Sequence, residues 1–450
     1  MFLYEIGGNE MLVGLSECIY GAKLMKNKIA CPAFADDVTI IAVSKEAVQQ
    51  LVSMAYKYSK KWRFSFNPTK CKLIVYGKGI ASNVSVKIGN HCIQKVNSDQ
   101  HLGTILSCKE KCIDEYIQER IQSCKTICYA TQSLGSHRVP VTTVTGSKLY
   151  WQVCIPKLCY GMEVITLSDK SMDSLEQFHT SMAKHNQGLP TPCSNPGSLS
   201  TIGWKTLESH VDIMRLMFLW RLLLLPMECI YKVVLLNRLD SIVHSSSGHC
   251  GPVWQLIATC KKYNLLDTVI EAMESGSYMS LSQWKKHVKF IVNGLVLRRW
   301  KIICKTYKSL IMLKTDVNKC EMSPWWVHGY KDPVYSKQNR VIIKLLLNVN
   351  RQGRMRCQFC YGKVDSVHHI LFECPCIATN RAILWETFLK SCPKQLQVSI
   401  EGMCTSTKCK FILNAFNVQY VAEWKSIYDN VSNFITKMYE DYKVAADAVL

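Results

Sequence analysis

The sequence predicts an α+β chain. Strand signals crowd into the first 110 residues, and amphipathic helical periods fill most of the remainder. A short Cys/His cluster after residue 356 interrupts the helical pattern.

The first strand pair frames two adjacent acids. Ile29–Phe34 and Val38–Val43 are apolar runs on either side of Ala35-Asp36-Asp37, so a hairpin with Asp36 and Asp37 at or beside its turn is expected. Neighbouring carboxylates repel, and burying one unpaired is expensive. A divalent cation such as magnesium removes that cost, because carboxylate oxygen is its natural ligand. The plainer alternative is that Asp is a common turn former.

Ser44 is an N-cap before a helix with apolar positions Val48, Leu51, Val52, Ala55, Tyr58 and Trp62. Short strands are predicted at Leu73–Gly77, Val84–Ile88, Ile93–Val96 and Leu102–Leu106. From 111 to 225 the period becomes helical. Ile113, Ile117, Ile121, Cys124 and Cys128 form one stripe, and further helices are expected at Ser147–Tyr160, Ser171–Asn186 and Leu207–Leu225. Pro190, Pro192, Pro196 and Gly197 predict a loop between the last two. A linker is predicted at Ser245–Gly248, with His244, His249 and Cys250 read as ordinary loop residues.

Between 280 and 312 the chain is helical and basic. Lys301, Lys305 and Lys308 fall at i, i+4 and i+7 and share a face, with Lys285, Lys286, Lys289, Arg298 and Arg299 nearby. Interleaved Trp284, Trp300 and Tyr307 are either core or stacking rings. Lys337, Arg340, Lys344, Arg351, Arg354 and Arg356 make a second basic run. It leads into Cys357-x2-Cys360-x8-His369-x4-Cys374. Three thiolates and one imidazole at this spacing suit a closed, structural zinc site, given a helix over Val367–Glu373. His368 stands beside His369 and Cys376 lies near Cys374, so the sequence leaves those two ligands open. The last segment, 381–450, carries helical patterns with Trp385, Phe388, Phe411, Phe416 and Trp424 inward.

Length and charge bound the function. A chain of 450 residues with 48% apolar content supports a sizeable core and more than one domain. Its 55 Lys and Arg against 34 Asp and Glu leave a formal charge of +21, which points to a polyanionic partner. Met1–Glu5 shows no basic-then-apolar leader, and the most apolar stretch, Ile213–Leu225, is broken by Arg215 and Arg221. A nuclear or cytoplasmic protein without membrane insertion is expected, with most of the 23 cysteines reduced.

These pieces together carry a resemblance. Phe34-Ala35-Asp36-Asp37 is similar to the aromatic-Ala-Asp-Asp box of reverse transcriptases, closest to those of non-LTR (LINE-type) retrotransposons. Phe66-Asn67-Pro68-Thr69-Lys70-Cys71-Lys72, His101-Leu102-Gly103-Thr104, Pro156-x3-Tyr160-Gly161 and the Cys/His cluster follow in that family's order. The resemblance implies a partial palm over 1–110, a helical thumb-like region over 111–225, and a helical basic linker region over 226–345. It further implies a CCHC zinc knuckle over 346–380 and a C-terminal helical segment over 381–450.

The activity implied is RNA-directed DNA polymerisation, a nucleotidyl transfer. Asp36 and Asp37 would hold magnesium, and Lys70, with Lys72 close by, would sit near the departing pyrophosphate. Leu102-Gly103 would lie at the primer grip, acting through its backbone. Cys357, Cys360, His369 and Cys374 would hold zinc. RNA and DNA would be the partners, gripped by Lys301, Lys305, Lys308, Arg340, Lys344 and Arg354. The family's third carboxylate lies upstream of the Asp-Asp box, and Glu5, Glu10 and Glu17 stand in no matching context. The expectation is therefore a truncated polymerase, inactive alone, with an upstream part of the same polyprotein as an implied partner. The alternative is a non-catalytic nucleic-acid-binding protein derived from such an element.

Overall fold

The computed structural model describes residues 2–24, 27–77, 84–133, 141–244, 251–307, 310–313, 321–349, 357, 360, 366–417 and 422–447. Helices dominate, and strands are few and short. The α+β class therefore holds in its general sense, and no sheet among the described residues exceeds two strands.

The N-terminal part is built around two helices. Phe2–Glu17 packs on Lys45–Lys61, and Met11, Leu15, Leu51 and Ala55 close over Ala30 and Cys31. Ser44 does cap the second helix, accepting from the Ala47 N–H at 3.1 Å. Trp62 is not an inward position. The helix ends at Lys61, and Trp62, as its C-cap, is nearly half exposed.

Five two-stranded ladders lie in this part among the described residues. Ala33–Phe34 pairs with Asp37–Val38, and Lys72–Ile74 pairs in parallel with Gln94–Val96 across the Lys87–Ile88/His91–Cys92 hairpin. Ser98–His101 pairs with Thr104–Ser107. Leu102, expected to begin a strand, instead occupies that hairpin's turn at φ 51°. Gly103 takes the next turn position at φ 73°, and only the backbone geometry decides which apolar residue turns.

The helical part begins with Glu110–Ser133, whose Ile117, Ile121, Cys124 and Cys128 stripe is buried as the period requires. The next helix runs from Thr143 to Cys159 and widens to a π turn at Tyr150–Cys154. Pro156 explains the widening. Its ring crowds the carbonyl four residues back, and the Ile155 N–H reaches Tyr150 instead.

Asp169–Gln187 follows, ended by Gly188 in the left-handed region at φ 61°. The predicted proline loop is partly a helix, Asn195–Ile202. Ser194 caps it and Pro196 sits in its first turn, where a missing N–H costs nothing.

Leu207–Leu223 is the buried helix the apolar stretch predicts. Arg215 interrupts that stretch without leaving a lone buried charge. It approaches Asp212 at 3.8 Å and donates to Gln255 at 2.5 Å. Asp212 also accepts from Lys262 at 2.5 Å and Tyr263 at 2.9 Å. Trp220 stacks on Trp284 of the helix Leu281–Thr306, with centroids 4.0 Å apart. Among the described residues no helix is long and apolar enough to cross a membrane.

The largest core joins Trp325, Ile342, Ile343, Leu346, Phe388, Leu413 and Phe434. The helix Lys425–Asp447 lies along it, against Ala378–Lys390 and Ser336–Leu346. Cys357 and Cys374 belong to this same core, so the Cys/His cluster is anchored in packed apolar residues. The predicted linker Ser245–Gly248, with His249 and Cys250, lies outside the described residues.

Candidate metal centre and the paired carboxylates

Ser366 starts the short helical segment that delivers two of the four Cys/His ligands. Its hydroxyl accepts from the His369 N–H at 3.1 Å. The segment widens into a π turn over His369–Glu373, closed by Cys374 N–H to His369 carbonyl at 2.7 Å. That wide turn brings residues five apart onto one side of the helix.

Cys357, Cys360, His369 and Cys374 meet there, with one ligand atom from each lying within 4.8 Å of the others. Cys357 Sγ is 3.9 Å from Cys374 Sγ, and Cys360 Sγ is 3.4 Å from His369 Nε2. A zinc tetrahedron with Zn–S of about 2.3 Å and Zn–N of about 2.0 Å has S···S edges near about 3.8 Å and S···N edges near about 3.5 Å. The two contacts match those edges, so the donor set fits a zinc ion. The geometry also resolves both open ligands. His369 and Cys374 belong to the cluster, while Cys376 is exposed and neither it nor His368 joins.

Three of the four ligands are buried, leaving no open coordination position for a substrate. Without a cation, burial pushes the Cys374 thiol up to about 12, and the Cys357 sulfur reinforces the shift. An ion's charge would reverse that and hold the thiolates. One partner was missed from the sequence. Glu373 places Oε2 3.7 Å from His369 Nδ1, within ion-pair range of the ligating imidazole but beyond hydrogen-bond distance. Its signal was the i, i+4 spacing from His369.

The paired acids stand on a different structure. Phe34 pairs with Asp37 across the two-residue turn Ala35–Asp36. Ala35 takes φ 51°, a left-handed conformation that costs a non-glycine residue about 1 kcal/mol. The ladder continues through Thr39 N–H to Pro32 at 2.9 Å and Ile41 N–H to Ala30 at 2.7 Å.

Both carboxylates are exposed, and so is Phe34 at 66%. The expected burial cost therefore does not arise, and of the two flanking apolar runs only Ala30 and Cys31, both upstream, are buried. Among the described residues no third acid joins Asp36 and Asp37 in a metal-sized cluster. Lys70 is exposed in a turn organised by Asn67, whose side chain accepts from the Thr69 N–H at 3.0 Å. Lys72 donates to Gln94 at 2.5 Å.

The Asp36–Asp37 hairpin and the Leu102–Gly103 hairpin are joined. Thr39 Oγ1 and His101 Nε2 lie 3.3 Å apart. The Leu102–Gly103 turn is then held by the helical part. Tyr116 and Arg120 donate to the Gly103 carbonyl at 2.8 and 2.9 Å, and Tyr160 donates to the Leu102 carbonyl at 3.2 Å.

The basic residues are scattered. Lys305 and Arg340 are exposed, and Lys301 and Lys344 are partly buried. Lys308 and Arg354, with Arg351 and Arg356, lie outside the described residues. Trp284 is fully buried and is core. No family model and no curated protein matches this chain.

Proposed function

We propose that this chain is a portion of a non-LTR retrotransposon reverse transcriptase, retaining the nucleic-acid grip of that enzyme without a complete polymerising centre. The observation that carries the reading is the run of contacts from the Asp36–Asp37 hairpin through Thr39 and His101 to Leu102–Gly103 and on to Tyr160. Three of the five motif pieces, the Asp36–Asp37 hairpin, His101–Thr104 and Pro156–Gly161, are thereby joined in space, while Phe66–Lys72 and the Cys/His cluster stand outside that run.

On this reading residues 1–110 form part of a palm, and 111–225 act as its thumb. The Cys357–Cys374 cluster is a structural zinc knuckle, and Lys301, Lys305, Arg340 and Lys344 grip template and primer. Asp36 and Asp37 hold magnesium weakly. Two-metal phosphoryl transfer needs ions fixed on both the attacking and leaving oxygens, and two exposed carboxylates position neither well.

The test is a pair of measurements on the full chain. Binding to single-stranded and duplex oligonucleotides should fall steeply with salt, with a log–log slope of several units. Primer extension on a homopolymer template with magnesium or manganese should be absent. A flat salt response or no binding overturns the nucleic-acid reading, and robust extension overturns the incomplete centre. The second reading, a binding protein derived from such an element, is favoured by the exposure of Asp36 and Asp37. It predicts that Asp36→Asn leaves nucleic-acid affinity unchanged.

A further inference from the structure

The helix Leu281–Thr306 carries seven Lys and Arg and no Asp or Glu along 26 residues. Its first half buries Trp284, Val288 and Val292 against the Trp220 core, and its second half buries Cys304 in the neighbouring core. What stays outside is a ridge centred on Phe290, a phenyl ring 79% exposed. Lys286, Gly294, Arg298, Lys301 and Lys305 lie within roughly 80° of it on the helical wheel. Lys286, Arg298 and Lys305 are exposed, Lys301 is partly so, and a Cβ built on Gly294 meets nothing within 4 Å. Arg299 points the other way, to Glu208 at 4.0 Å.

A single exposed ring is ordinary on a protein surface, but this one stands in a row of cations on a helix that carries no acid. We infer that this ridge binds single-stranded nucleic acid, with Phe290 stacking on an unpaired base and Lys286, Arg298, Lys301 and Lys305 on the flanking phosphates. The inference rests on the proposed nucleic-acid reading and adds to it the strandedness of the ligand and the stacking residue.

Charge complementarity selects a polyanion, and the ring selects among polyanions. A duplex hides its base faces, so a phenyl ring gains nothing there, whereas every unpaired base offers a face. An anionic lipid surface fits less well. Arg298 separates Phe290 from Ile302, so the helix lacks the continuous apolar face that interfacial helices bury. Phe290 was invisible from sequence because Trp284, Trp300 and Tyr307 looked like the better rings.

The experiment measures anisotropy of a fluorescein-labelled oligothymidylate, and of a hairpin duplex, against the full chain. Phe290→Ala is expected to weaken oligothymidylate binding by a factor on the order of 5 to 100 and leave the duplex unchanged. Phe290→Trp should preserve or tighten it. Phe290 is exposed, so neither variant threatens the fold. Unchanged oligothymidylate binding by Phe290→Ala overturns the inference and leaves the nucleic-acid reading standing. An equal loss on strand and duplex also overturns it. So does a loss confined to phosphatidylserine vesicles in a sedimentation assay run alongside, which would make the ridge a lipid surface. Failure of the wild-type chain to bind either oligonucleotide overturns the parent reading and this inference together.

Discussion

Tyr160 donates its phenolic hydrogen to the Leu102 carbonyl at 3.2 Å across 58 residues of chain, and its neighbour Gly161 leaves no room for a Cβ beside Thr104 of the same hairpin. This is the seam between the strand-containing and helical parts. Arg120 strengthens it by donating to the Leu158 and Tyr160 carbonyls as well as to Gly103. One guanidinium thus satisfies carbonyls from both sides of the seam.

Gly161→Ala should open that seam. The residue sits at φ 73°, and a Cβ there would stand 2.7 Å from Thr104 Oγ1. The left-handed backbone alone costs about 1 kcal/mol, and the close approach adds to it. A loss of about 1–3 kcal/mol in urea unfolding is expected. Hydrogen exchange at Ser98–Ser107 should rise with it. A variant as stable as wild type would mean that the seam is loose.

Zinc content provides the second check. The purified chain should carry about one zinc, and Cys357→Ser or Cys374→Ser should release it with loss of cooperative unfolding around Phe388 and Phe434, because both thiols sit in that core. Cys376→Ser should keep the ion, since Cys376 is exposed and outside the cluster. Elemental analysis of the three variants decides it. Zinc retained by Cys374→Ser and lost from Cys376→Ser would reassign the ligand.

Two buried titratable groups give stability opposite pH slopes. His179 is enclosed, with Nε2 donating to the Lys205 carbonyl at 2.9 Å, so Nδ1 accepts from the Tyr150 hydroxyl at 2.9 Å. Burial pushes its pKa down to about 4. The unfolded chain therefore binds more protons between about pH 6.5 and 4, and stability falls as pH drops through that window, by on the order of 3 kcal/mol.

Glu176 behaves oppositely. Burial lifts it to about 7, although it accepts from the Glu208 N–H at 2.7 Å. Its contribution is fully present below about pH 4.5 and is lost as pH rises through 7. Glu176→Gln keeps that acceptor and cannot ionise, so the variant should gain stability relative to wild type above about pH 7. Urea titrations on either side of neutrality measure this. A gap between variant and wild type that does not change with pH would remove Glu176 as the cause.

Much of this was legible in the chain, for reasons that can be named. Ser44, Ile117, Ile121 and the Cys/His spacing are local signals, and local physics decides them. Leu102 reads as a strand residue in sequence because an apolar residue in a turn looks like one in a strand. Pro196 reads as a loop marker in the sequence, although proline is equally at home in a helix's first turn. Trp284 and Phe290 could not be separated, because Leu281–Thr306 packs on two cores with different faces. The contact between Thr39 and His101 depends on 62 residues of intervening fold, which no pattern within either segment encodes.

The paired acids give the last prediction. Asp36 and Asp37 are exposed, and although Asp37 pairs with Phe34 through its backbone, neither carboxylate has a hydrogen-bond or ion-pair partner among the described residues. Adjacent like charges in water repel weakly, so removing them should relieve a little strain and cost nothing. The Asp36→Asn, Asp37→Asn double variant is therefore expected to unfold within about 0.5 kcal/mol of wild type in metal-free buffer, on the stable side if at all. Manganese should broaden resonances around Ala35–Val38 in the wild type and not in the variant, because only carboxylate oxygens hold the ion there. A loss exceeding about 1 kcal/mol would make the acids structural caps of the turn. In that event the turn needs its acids for folding, and no metal-binding ancestry is required to explain them.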